Sequence, residues 1–392
     1  MSSHPVLIAG GGIAGIASAL GLARIGRAAC VLEQTAVFET VGAGLQIGPN
    51  AVRALKYLDA WDLVAPASFA PPAISIRDGR SGRILQHIPL GAGFERRFGE
   101  PYRVIHRADL LAGLVERARA QPGIRLLTGM PVKRFADRAN HIEVETDDAP
   151  LEGEALLGAD GIRSAIRNEL IADGAPIRHS ENLFRALAPL DASTAERLTG
   201  ITLWLCRGGH VVHYPVRGGK ALNLVAAADL GGGWPGEGWS AAVESWEVLA
   251  HFPDAHEDLH QALTLPSSWH KWAAASRAPA RTWSRGRVTL IGDAAHAALP
   301  YLAQGAAMAL EDAVSLSLSL RRSDTIAGAF SAYQALRMPR TERIVRESRR
   351  LGDIYHARGP MRMARDVVLR LTGSDDFLNR LAWIYDFDPS AA

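Results

Sequence analysis

The chain begins with short apolar runs that alternate with a helix-like segment. Val6–Ala9 and Cys30–Leu32 are continuous apolar runs typical of buried strands, and the Ala- and Leu-rich segment 16–25 between them predicts a helix. Similar apolar runs end at Gly158 and Ile291. Further helices are predicted at 51–58, 110–120 and 304–320, and beyond residue 330. This order of elements predicts an α/β protein.

The turn between the first strand and the first helix carries the pattern Gly10-x-Gly12-x-x-Gly15. Gly10 permits the tight turn, Gly12 lets the backbone approach a pyrophosphate, and Gly15 lets the helix pack closely on the strand. The N–H groups at the helix start attract phosphate charge. Glu33 ends the second strand, where an acid accepts hydrogen bonds from an adenosine ribose. Together these features predict a dinucleotide site; the alternative is a glycine-rich turn in an ordinary α/β domain.

Between residues 178 and 280 the pattern changes to strand-like segments. This predicts an antiparallel sheet that faces a ligand space and is inserted between parts of the α/β domain. The segments are Leu183–Ala188, Ile201–Leu205, Val211–Pro215 and Ala221–Ala227. An earlier pair of short strands is predicted within 74–90, around the turn Asp78-Gly79.

One strand of the inserted sheet carries a histidine and a tyrosine at matching spacing. Because side chains alternate along a strand, His210 and Tyr214 share one face and His213 lies on the other. We predict that His210 and Tyr214 form a compact polar pair able to take a proton from a phenol, since histidine titrates near neutrality. The alternative is a structural histidine.

Other polar residues follow strands or precede helices. Asn50 is predicted to cap a helix after the glycine-rich loop 42–50, which is interpreted as a close approach to a flat ligand or as structural punctuation. Arg107 lies just before a predicted helix, and it is interpreted either as a phosphate ligand or as a surface arginine. Asp160 ends a predicted strand beside Gly161, and it is interpreted either as a ligand contact or as part of a common turn.

A second strand end and helix start repeat this arrangement late in the chain. Asp293 follows a buried strand and suits sugar-like hydroxyls. Gln304, Gly305 and Ala306 open a long helix, whose N-terminus suits an anionic or electron-rich flavin edge.

Composition narrows the class of partner. The 392 residues carry a net charge of +2, which argues against nucleic acid or a membrane as the main partner. The uncharged run Pro5–Ala23 is interpreted as the glycine turn and its helix, not as a membrane span or signal sequence. Cys30 and Cys206 provide neither a disulfide framework nor metal-ligand spacing. We therefore expect no metal, and we expect a cytoplasmic location.

Beyond residue 330, arginines recur at every third position. They are Arg337, Arg340, Arg343, Arg346 and Arg349. Because Glu342 and Glu347 are interleaved, this pattern is interpreted as a solvated helix face and not as a nucleic-acid stripe.

Three blocks, taken in order, carry a family resemblance over nearly the whole chain. Gly10-x-Gly12-x-x-Gly15 with Glu33, then Gly158-Ala159-Asp160-Gly161, then Gly292-Asp293-Ala294-Ala295-His296 resemble the single-component FAD-dependent aromatic hydroxylases. The most similar branch contains 3-hydroxybenzoate 6-hydroxylase, 6-hydroxynicotinate 3-monooxygenase and salicylate hydroxylase. The resemblance implies a Rossmann-like FAD-binding domain of the para-hydroxybenzoate hydroxylase type, with an inserted antiparallel-sheet substrate domain and C-terminal helices. The implied FAD-binding parts are 1–75, 101–177 and 281–330, the substrate-domain parts are 76–100 and 178–280, and the helical segment is 331–392.

The resemblance also implies roles for individual residues. Glu33 would hold the adenosine ribose, Arg107 the FAD chain and Asp293 the ribityl part. The N–H groups of Gly305 and Ala306 would face the pyrimidine end of the flavin. Further implied cofactor contacts are Gly10, Gly12, Ile13, Ala14, Gly15, Gln34, Ala43, Val132 and Asp160.

On the substrate side, His210, Tyr214 and Gln304 match positions that face the ring, with Tyr102 a further candidate. We hypothesise that His210 is the base, assisted by Tyr214, that Gln304 orients the substrate, and that His213 is the second choice of base. Ala297 departs from the proline that usually follows the third block, so the shape of the following loop is open.

The implied activity is hydroxylation of a small hydroxylated aromatic acid with O2, through a flavin hydroperoxide. FAD would be the cofactor, with NADH or NADPH as transient co-substrate, in a monomer or homodimer. The activity is expected to be most like that of 3-hydroxybenzoate 6-hydroxylase, with salicylate or hydroxynicotinate monooxygenases as alternatives. Two alternatives come from other function classes. One is a flavin oxidoreductase without oxygen insertion, and the other is a nucleotide-binding or nucleic-acid-binding protein without catalysis.

Overall fold

The computed structural model describes residues 4–38, 42–138, 140–191, 194–195, 198–229 and 238–391. Its strands are β1 (Val6–Ala9), β2 (Ala29–Glu33), β3 (Gly44–Ile47), β4 (Ala73–Asp78), β5 (Ile84–Pro89), β6 (Arg103–His106), β7 (Ile124–Thr128), β8 (Arg134–Asp137), β9 (Ile142–Glu145), β10 (Leu151–Gly153), β11 (Ala155–Gly158), β12 (Ile177–Pro189), β13 (Ile201–Cys206), β14 (Gly209–Val216), β15 (Ala221–Asp229), β16 (Ser240–Val243), β17 (Trp269–Ser276), β18 (Ser284–Arg285) and β19 (Val288–Leu290). Its α-helices are α1 (Ile13–Arg24), α2 (Pro49–Tyr57), α3 (Trp61–Val64), α4 (Ala92–Phe98), α5 (Arg107–Arg119), α6 (Ala165–Ile171), α7 (Ser245–Ala250), α8 (Glu257–Thr264), α9 (Asp293–His296), α10 (Gly305–Arg322), α11 (Ile326–Tyr355), α12 (Gly359–Leu371) and α13 (Ser374–Tyr385).

A six-stranded sheet in the order β18-β19-β11-β1-β2-β7 forms the first core. All neighbours in it are parallel except β18, and β1 is buried along its whole length. Because the carboxyl ends of parallel strands meet at one edge, the glycine loop after β1, Asp160 after β11 and Asp293 after β19 lie along the same edge. The predicted Rossmann-like α/β class is confirmed.

An eight-stranded sheet in the order β16-β17-β12-β15-β14-β13-β4-β5 forms the second core. It is antiparallel as predicted, except that β13 runs parallel to β4. The two strands β4 and β5 come from early in the chain and complete one side of the sheet. One face of the sheet packs on α7 and α8 through residues such as Val248 and Leu259, while Tyr214 on the other face packs with Tyr102 and Tyr385. The second face therefore meets the α/β domain.

Two helices begin earlier than the sequence predicted. The helix α1 starts at Ile13 because Gly12 is its extended N-cap residue. The helix α2 starts at Pro49 after Gly48, so the prediction that Asn50 caps it is wrong. Proline suits a first helical position, since its missing N–H would be unpaired there anyway. Within the described residues, the helices lack the combination of length and apolar character that a membrane span needs.

The arginines of α11 do not form one solvated face. Arg343, Arg346 and Arg349 are exposed, as predicted. Arg337, however, is fully buried, and Arg340 is largely buried, so the prediction is wrong for these two. Both point toward buried acids on α10, which the local arginine spacing cannot reveal.

The buried acids are Glu311 and Asp312. The Arg337 guanidinium lies 2.7 Å from a carboxylate oxygen of each, and Arg340 lies 2.7 Å from Glu311. Asp312 Oδ2 also accepts the N–H of Gly292 at 3.1 Å and lies 2.5 Å from His296 Nε2. Burial favours the neutral acid, but His296 and Arg337 outweigh it and lower the pKa of Asp312 to about 2. We call these four groups, Glu311, Asp312, Arg337 and Arg340, the buried ion network.

We expect Arg337→Gln to lower the free energy of unfolding by about 3–5 kcal/mol, because it leaves two buried carboxylates without their shared cation. Urea titration followed by circular dichroism measures the change. Arg346→Gln is the matched control on the same helix, where the side chain is 68% exposed and a change within about 0.5 kcal/mol is expected. Equal midpoints for the two variants would contradict the stabilising role of the buried ion network.

Candidate functional site

The glycine loop between β1 and α1 combines steric demands from the fold with open space. Gly10 has a φ of +108°, and a Cβ on Gly15 would lie 1.9 Å from the Gly10 carbonyl oxygen. These two glycines are therefore required by the fold itself. A Cβ on Gly12 would meet no described atom within 4 Å. The missing side chain of Gly12 thus leaves room beside the N-terminus of α1, where an anion is favoured.

Glu33 ties the end of β2 to the glycine loop. Its Oε2 accepts the N–H of Gly11 at 2.6 Å, and its Oε1 accepts the N–H and hydroxyl of Thr35 at 2.9 and 2.8 Å. Because each carboxylate oxygen has two lone pairs, a ribose hydroxyl can still bind here. Gln34 is exposed beside it, and the N–H of Met130 donates to the Glu33 carbonyl at 2.8 Å, which brings the segment leading to Val132 to this end.

Asp160 stabilises the turn after β11. Its Oδ2 accepts the N–H groups of Ala165 and Ile166 at 2.7 and 3.2 Å, at the start of α6. The other oxygen, Oδ1, is buried without a hydrogen-bond partner, and burial raises the pKa of the carboxyl. Asp160 therefore has the turn role, and it also keeps a free acceptor next to the glycine loop, where Ala159 contacts Gly10.

Asp293 and the N-terminus of α10 are the second group of predicted cofactor contacts along the strand-end edge, the edge of the six-stranded sheet where its parallel strands end. Asp293 is exposed directly after Gly292, whose φ is +62°. A Cβ on Gly305, the first residue of α10, would meet no described atom within 4 Å, and Ala306 packs partly against the core. Since α10 is 18 residues long, its leading N–H groups present a partial positive charge to this open space.

Three predicted cofactor contacts lie at helix N-termini: Arg107 on α5, and Ile13 and Ala14 on α1. Arg107 opens α5 and is half-buried, and its N–H donates to the Ala43 carbonyl at 3.0 Å. A Cβ on Gly42 would lie 2.8 Å from the Arg107 side chain, so the loop passes close to this arginine. Ile13 and Ala14 open α1 next to the glycine loop.

Gln46 brings the two predicted ring-facing tyrosines together. The Tyr102 hydroxyl donates to Gln46 Oε1 at 2.7 Å, and Tyr214 hydrogen-bonds the same side chain. Asn223 accepts the N–H of Gly44 at 2.6 Å, beside Tyr214. Burial raises the pKa of both tyrosines, which keeps them neutral. Gln46 on β3 and Asn223 on β15 were not predicted, because single amides carry no motif.

Gln304 is oriented by the buried ion network. It is buried at the N-terminus of α10, and its Oε1 accepts from Asn50 Nδ2 at 3.0 Å. The same Asn50 nitrogen donates to Glu311 Oε1 at 2.6 Å. The buried side chain of Asn50 thus links α2, α10 and the predicted substrate-facing glutamine.

His210 and Tyr214 share a face of β14, as the alternation requires, but the predicted compact pair is wrong. Tyr214 is bonded to Gln46, whereas His210 Nδ1 lies 2.9 Å from His356 Nε2. The ring of His210 also packs edge-on against Tyr301. His210 and Tyr214 are four positions apart on an extended strand, which is too far for a direct bond.

His213 lies on the opposite face of β14. Its Nε2 accepts the indole N–H of Trp204 at 3.0 Å within the core under α7 and α8. Burial and the nearby Arg77 lower the pKa of His213 to about 4, so the ring is a neutral acceptor there. The structure places it away from Tyr214 and Gln46.

Arg185 on β12 is a cation that sequence reasoning missed. It is half-buried, its guanidinium lies over the Trp272 ring at 5.8 Å, and its buried Nε has no hydrogen-bond partner. Its electrostatic neighbours include Tyr214 and Asp293, and burial lowers its pKa. A single arginine within an apolar strand gives no sequence signal, yet it lies between the two groups of predicted site residues.

Comparisons with known proteins show the family of the chain. Residues 3–348 match the family model described as FAD binding domain. The chain is 36% identical over 388 residues to 3-hydroxybenzoate 6-hydroxylase of Polaromonas naphthalenivorans strain CJ2, covering 98% of this chain and 96% of the relative. It is 37% identical over 390 residues to 3-hydroxybenzoate 6-hydroxylase of Klebsiella oxytoca, covering 97% and 96%. A solved structure of a salicylate hydroxylase substrate complex aligns with a TM-score of 0.83 at 26% identity, over 100% of this chain and 97% of that one.

The contrast between Gly12 and Gly15 gives a paired prediction. We expect Gly15→Ala to lower the free energy of unfolding by about 1–3 kcal/mol, since its Cβ would overlap the Gly10 carbonyl. Gly12→Ala should cost under about 1 kcal/mol, the scale of an N-cap change. Its methyl group would occupy the space assigned to FAD from the sequence, so FAD affinity should fall. Thermal unfolding and FAD titration by flavin fluorescence measure the two effects. A Gly12→Ala protein that binds FAD like wild type would contradict the assignment of this space.

Proposed function

The chain belongs to the FAD binding domain family and is a FAD-dependent aromatic-ring monooxygenase, and we propose that its substrate is a small hydroxylated aromatic acid. The first candidate is 3-hydroxybenzoate, hydroxylated at the 6-position with NADH or NADPH and O2. The relatives named 3-hydroxybenzoate 6-hydroxylase span nearly the whole chain, which supports this choice. We infer a substrate chamber at the face of β14 that carries His210 and Tyr214. The observation that carries the proposal is that the neutral Tyr102 and Tyr214 meet there at Gln46, with the half-buried Arg185 among the electrostatic neighbours of Tyr214.

The residues along that edge fit FAD. The spaces at Gly12 and Gly305 are ones that a Cβ would enter, and each opens at a helix N-terminus that favours negative charge. We assign the pyrophosphate to the α1 N-terminus, the adenosine ribose to Glu33 and the ribityl hydroxyls to Asp293. Arg107 would contact the connecting chain, and the N–H groups at the start of α10 would face the flavin pyrimidine. When bound and reduced by NADH or NADPH, FAD would supply the electrons that activate O2 for transfer of one oxygen atom to the ring.

The protein must make the substrate ring electron-rich. We assign proton removal from the substrate hydroxyl to His210, because burial and the adjacent His356 lower its pKa and keep it neutral. His210 Nδ1 is engaged by His356, so the opposite ring nitrogen, Nε2, is the one that can receive the proton. A phenolate directs charge to the position para to its oxygen, which is the 6-position of 3-hydroxybenzoate.

Orientation and exclusion of water are the other requirements. Gln304 is held by Asn50, and Tyr214 by Gln46, so both side chains are fixed before substrate arrives. Tyr301 and Tyr355 pack their rings against His210 and limit access of water from that side. Arg185 would bind the substrate carboxylate, since its buried Nε is an unpartnered donor and Tyr214 is among its electrostatic neighbours.

The proposed setting is a cytoplasmic enzyme that acts as a monomer or homodimer. Cys30 and Cys206 are both free thiols, which fits a reducing compartment where NAD(P)H is available.

The substrate assignment is tested by NADH and NADPH oxidation with 3-hydroxybenzoate, salicylate and 6-hydroxynicotinate, with product identification by chromatography. We expect 2,5-dihydroxybenzoate from 3-hydroxybenzoate as the most rapidly formed product. In His210→Asn, hydroxylation should fall about a hundredfold, the scale of a lost general base, with FAD still bound. His213→Asn, on the opposite face of the same strand, is the matched control. Wild-type coupled turnover in His210→Asn would remove the base assignment.

Arg185→Met tests the carboxylate contact. We expect the Kd for 3-hydroxybenzoate to rise about tenfold or more, because a charge-assisted hydrogen bond contributes about 1.5–3 kcal/mol. The Kd for 3-hydroxybenzyl alcohol, which lacks the carboxylate, should not change. Equal weakening of both compounds would contradict the assignment, and so would an unchanged Kd for 3-hydroxybenzoate. Substrate-induced changes in the flavin absorbance spectrum provide the measurement.

A further inference from the structure

One ring nitrogen of His210 is bonded to a second histidine. His356 caps the C-terminus of α11, 146 positions along the chain, and its Nε2 lies 2.9 Å from His210 Nδ1. The two rings are 5.2 Å apart between centroids and inclined by 30°. Neither sequence pattern nor a family motif singled out His356.

The second nitrogen of His356 faces a carboxylate. His356 Nδ1 lies 4.0 Å from Glu181 Oε1 on β12, a separation that one water molecule can bridge. The side chains of His356 and Glu181 are 10% and 20% exposed, whereas His210 is buried. Exposure therefore increases in the order His210, His356, Glu181, from a buried side chain toward solvent.

We propose that His356 and Glu181 form, with His210, a proton path that carries the substrate's hydroxyl proton out of the chamber. The proposal rests on the proposed function, because it extends the role of His210 as base.

The transfer balances without any other reactant. His210 accepts the substrate proton at Nε2 and releases the proton on its Nδ1 to His356 Nε2. His356 releases the proton on its Nδ1 to Glu181, through a water molecule, and Glu181 exchanges it with solvent. Each imidazole changes tautomer once. The starting tautomers return when the same path carries one proton from solvent through Glu181 and His356, and His210 Nε2 gives its proton to the phenolate oxygen of the hydroxylated product.

The groups around the path favour this direction. Tyr301 and Tyr355 face the His210 ring with aromatic surface, so His356 is the titratable partner bonded to it among the described residues. Burial lowers the pKa of His356 below its ordinary value, so its ring is neutral and able to accept a proton. The acids Glu181, Asp229 and Asp353 act against this lowering, and Arg358 adds to it. A proton that leaves His210 thus moves toward a cluster of carboxylates at the protein surface.

Gly352 keeps the aromatic enclosure in place. A Cβ at this position would lie 2.4 Å from the Tyr301 ring, so the last turn of α11 can approach Tyr301 only because residue 352 is glycine. The His356 N–H donates to the Gly352 carbonyl at 3.0 Å. The helix end that carries His356 is therefore fixed against the tyrosine that covers His210.

His356→Gln separates proton transfer from positioning. Glutamine can still accept the His210 Nδ1–H hydrogen bond, but it cannot pass a proton onward. We expect single-turnover hydroxylation of 3-hydroxybenzoate at neutral pH to slow by about tenfold or more, with an unchanged Kd. Added imidazole should restore the rate of His356→Gln and leave wild type unaffected. Rapid-quench product analysis gives the rates, and FAD absorbance confirms that the variant is folded.

Glu181→Gln provides a second, independent variant at the solvent end of the path. Its rate should also fall, and the acid limb of its pH–rate profile should differ from that of wild type, because the last proton acceptor is gone. His179→Gln is the matched control, since this half-buried histidine lies on the same strand and bonds Ser276 Oγ at 2.8 Å instead. Its rate and pH profile should match wild type.

Wild-type rates in both His356→Gln and Glu181→Gln would overturn the proton path while product formation by wild type stands. A slow His356→Gln that imidazole does not restore and that binds substrate weakly would overturn it too, because that result indicates a structural role. Failure of the proposed function looks different: wild type itself would form no hydroxylated product from any compound of the panel, and the path would then fall with it.

Discussion

Two adjacent buried carboxylates, at the contact between α10 and α11, hold the candidate site together. Glu311 and Asp312 on α10 are fully buried, and they are neutralised by Arg337 and Arg340 from α11. Such a network is costly to desolvate and adds stability only when every partner is present, but it strongly disfavours arrangements that leave a charge unpaired. Its value here is geometric, because the same two carboxylates also bind groups that belong to the site.

Each branch of the network ends at a site element. Asp312 accepts the N–H of Gly292 and contacts His296, which fixes the strand end that carries Asp293. Glu311 accepts from Asn50, and Asn50 in turn holds Gln304 at the N-terminus of α10. The proposed flavin-facing and ring-facing groups are thus positioned by one set of buried charges. The constraint explains how separate segments of a long chain keep a common geometry with no disulfide among the described residues.

Sequence reasoning found the local features and missed the long-range ones. The glycine loop, Glu33 and the strand-end aspartates follow from spacing over a few residues, and the parallel sheet aligns them as the sequence predicts. The alternation along β14 also separated His210 from His213 correctly. Arg337, by contrast, belongs to a surface-like arginine repeat, and its burial depends on two acids 25 and 26 positions away. Gln46 and His356 likewise become partners only through tertiary packing, which no local pattern encodes.

The central claim is that the FAD cradle and the ring-binding face of β14 bound a single chamber in which an oxygen atom is transferred to the substrate. Turnover under ¹⁸O2, with mass spectrometry of the product, tests this claim most directly. The account predicts one ¹⁸O atom in each molecule of 2,5-dihydroxybenzoate and NADH consumption equal to product formed. An unlabelled product, or NADH consumption that appears wholly as hydrogen peroxide, would contradict it.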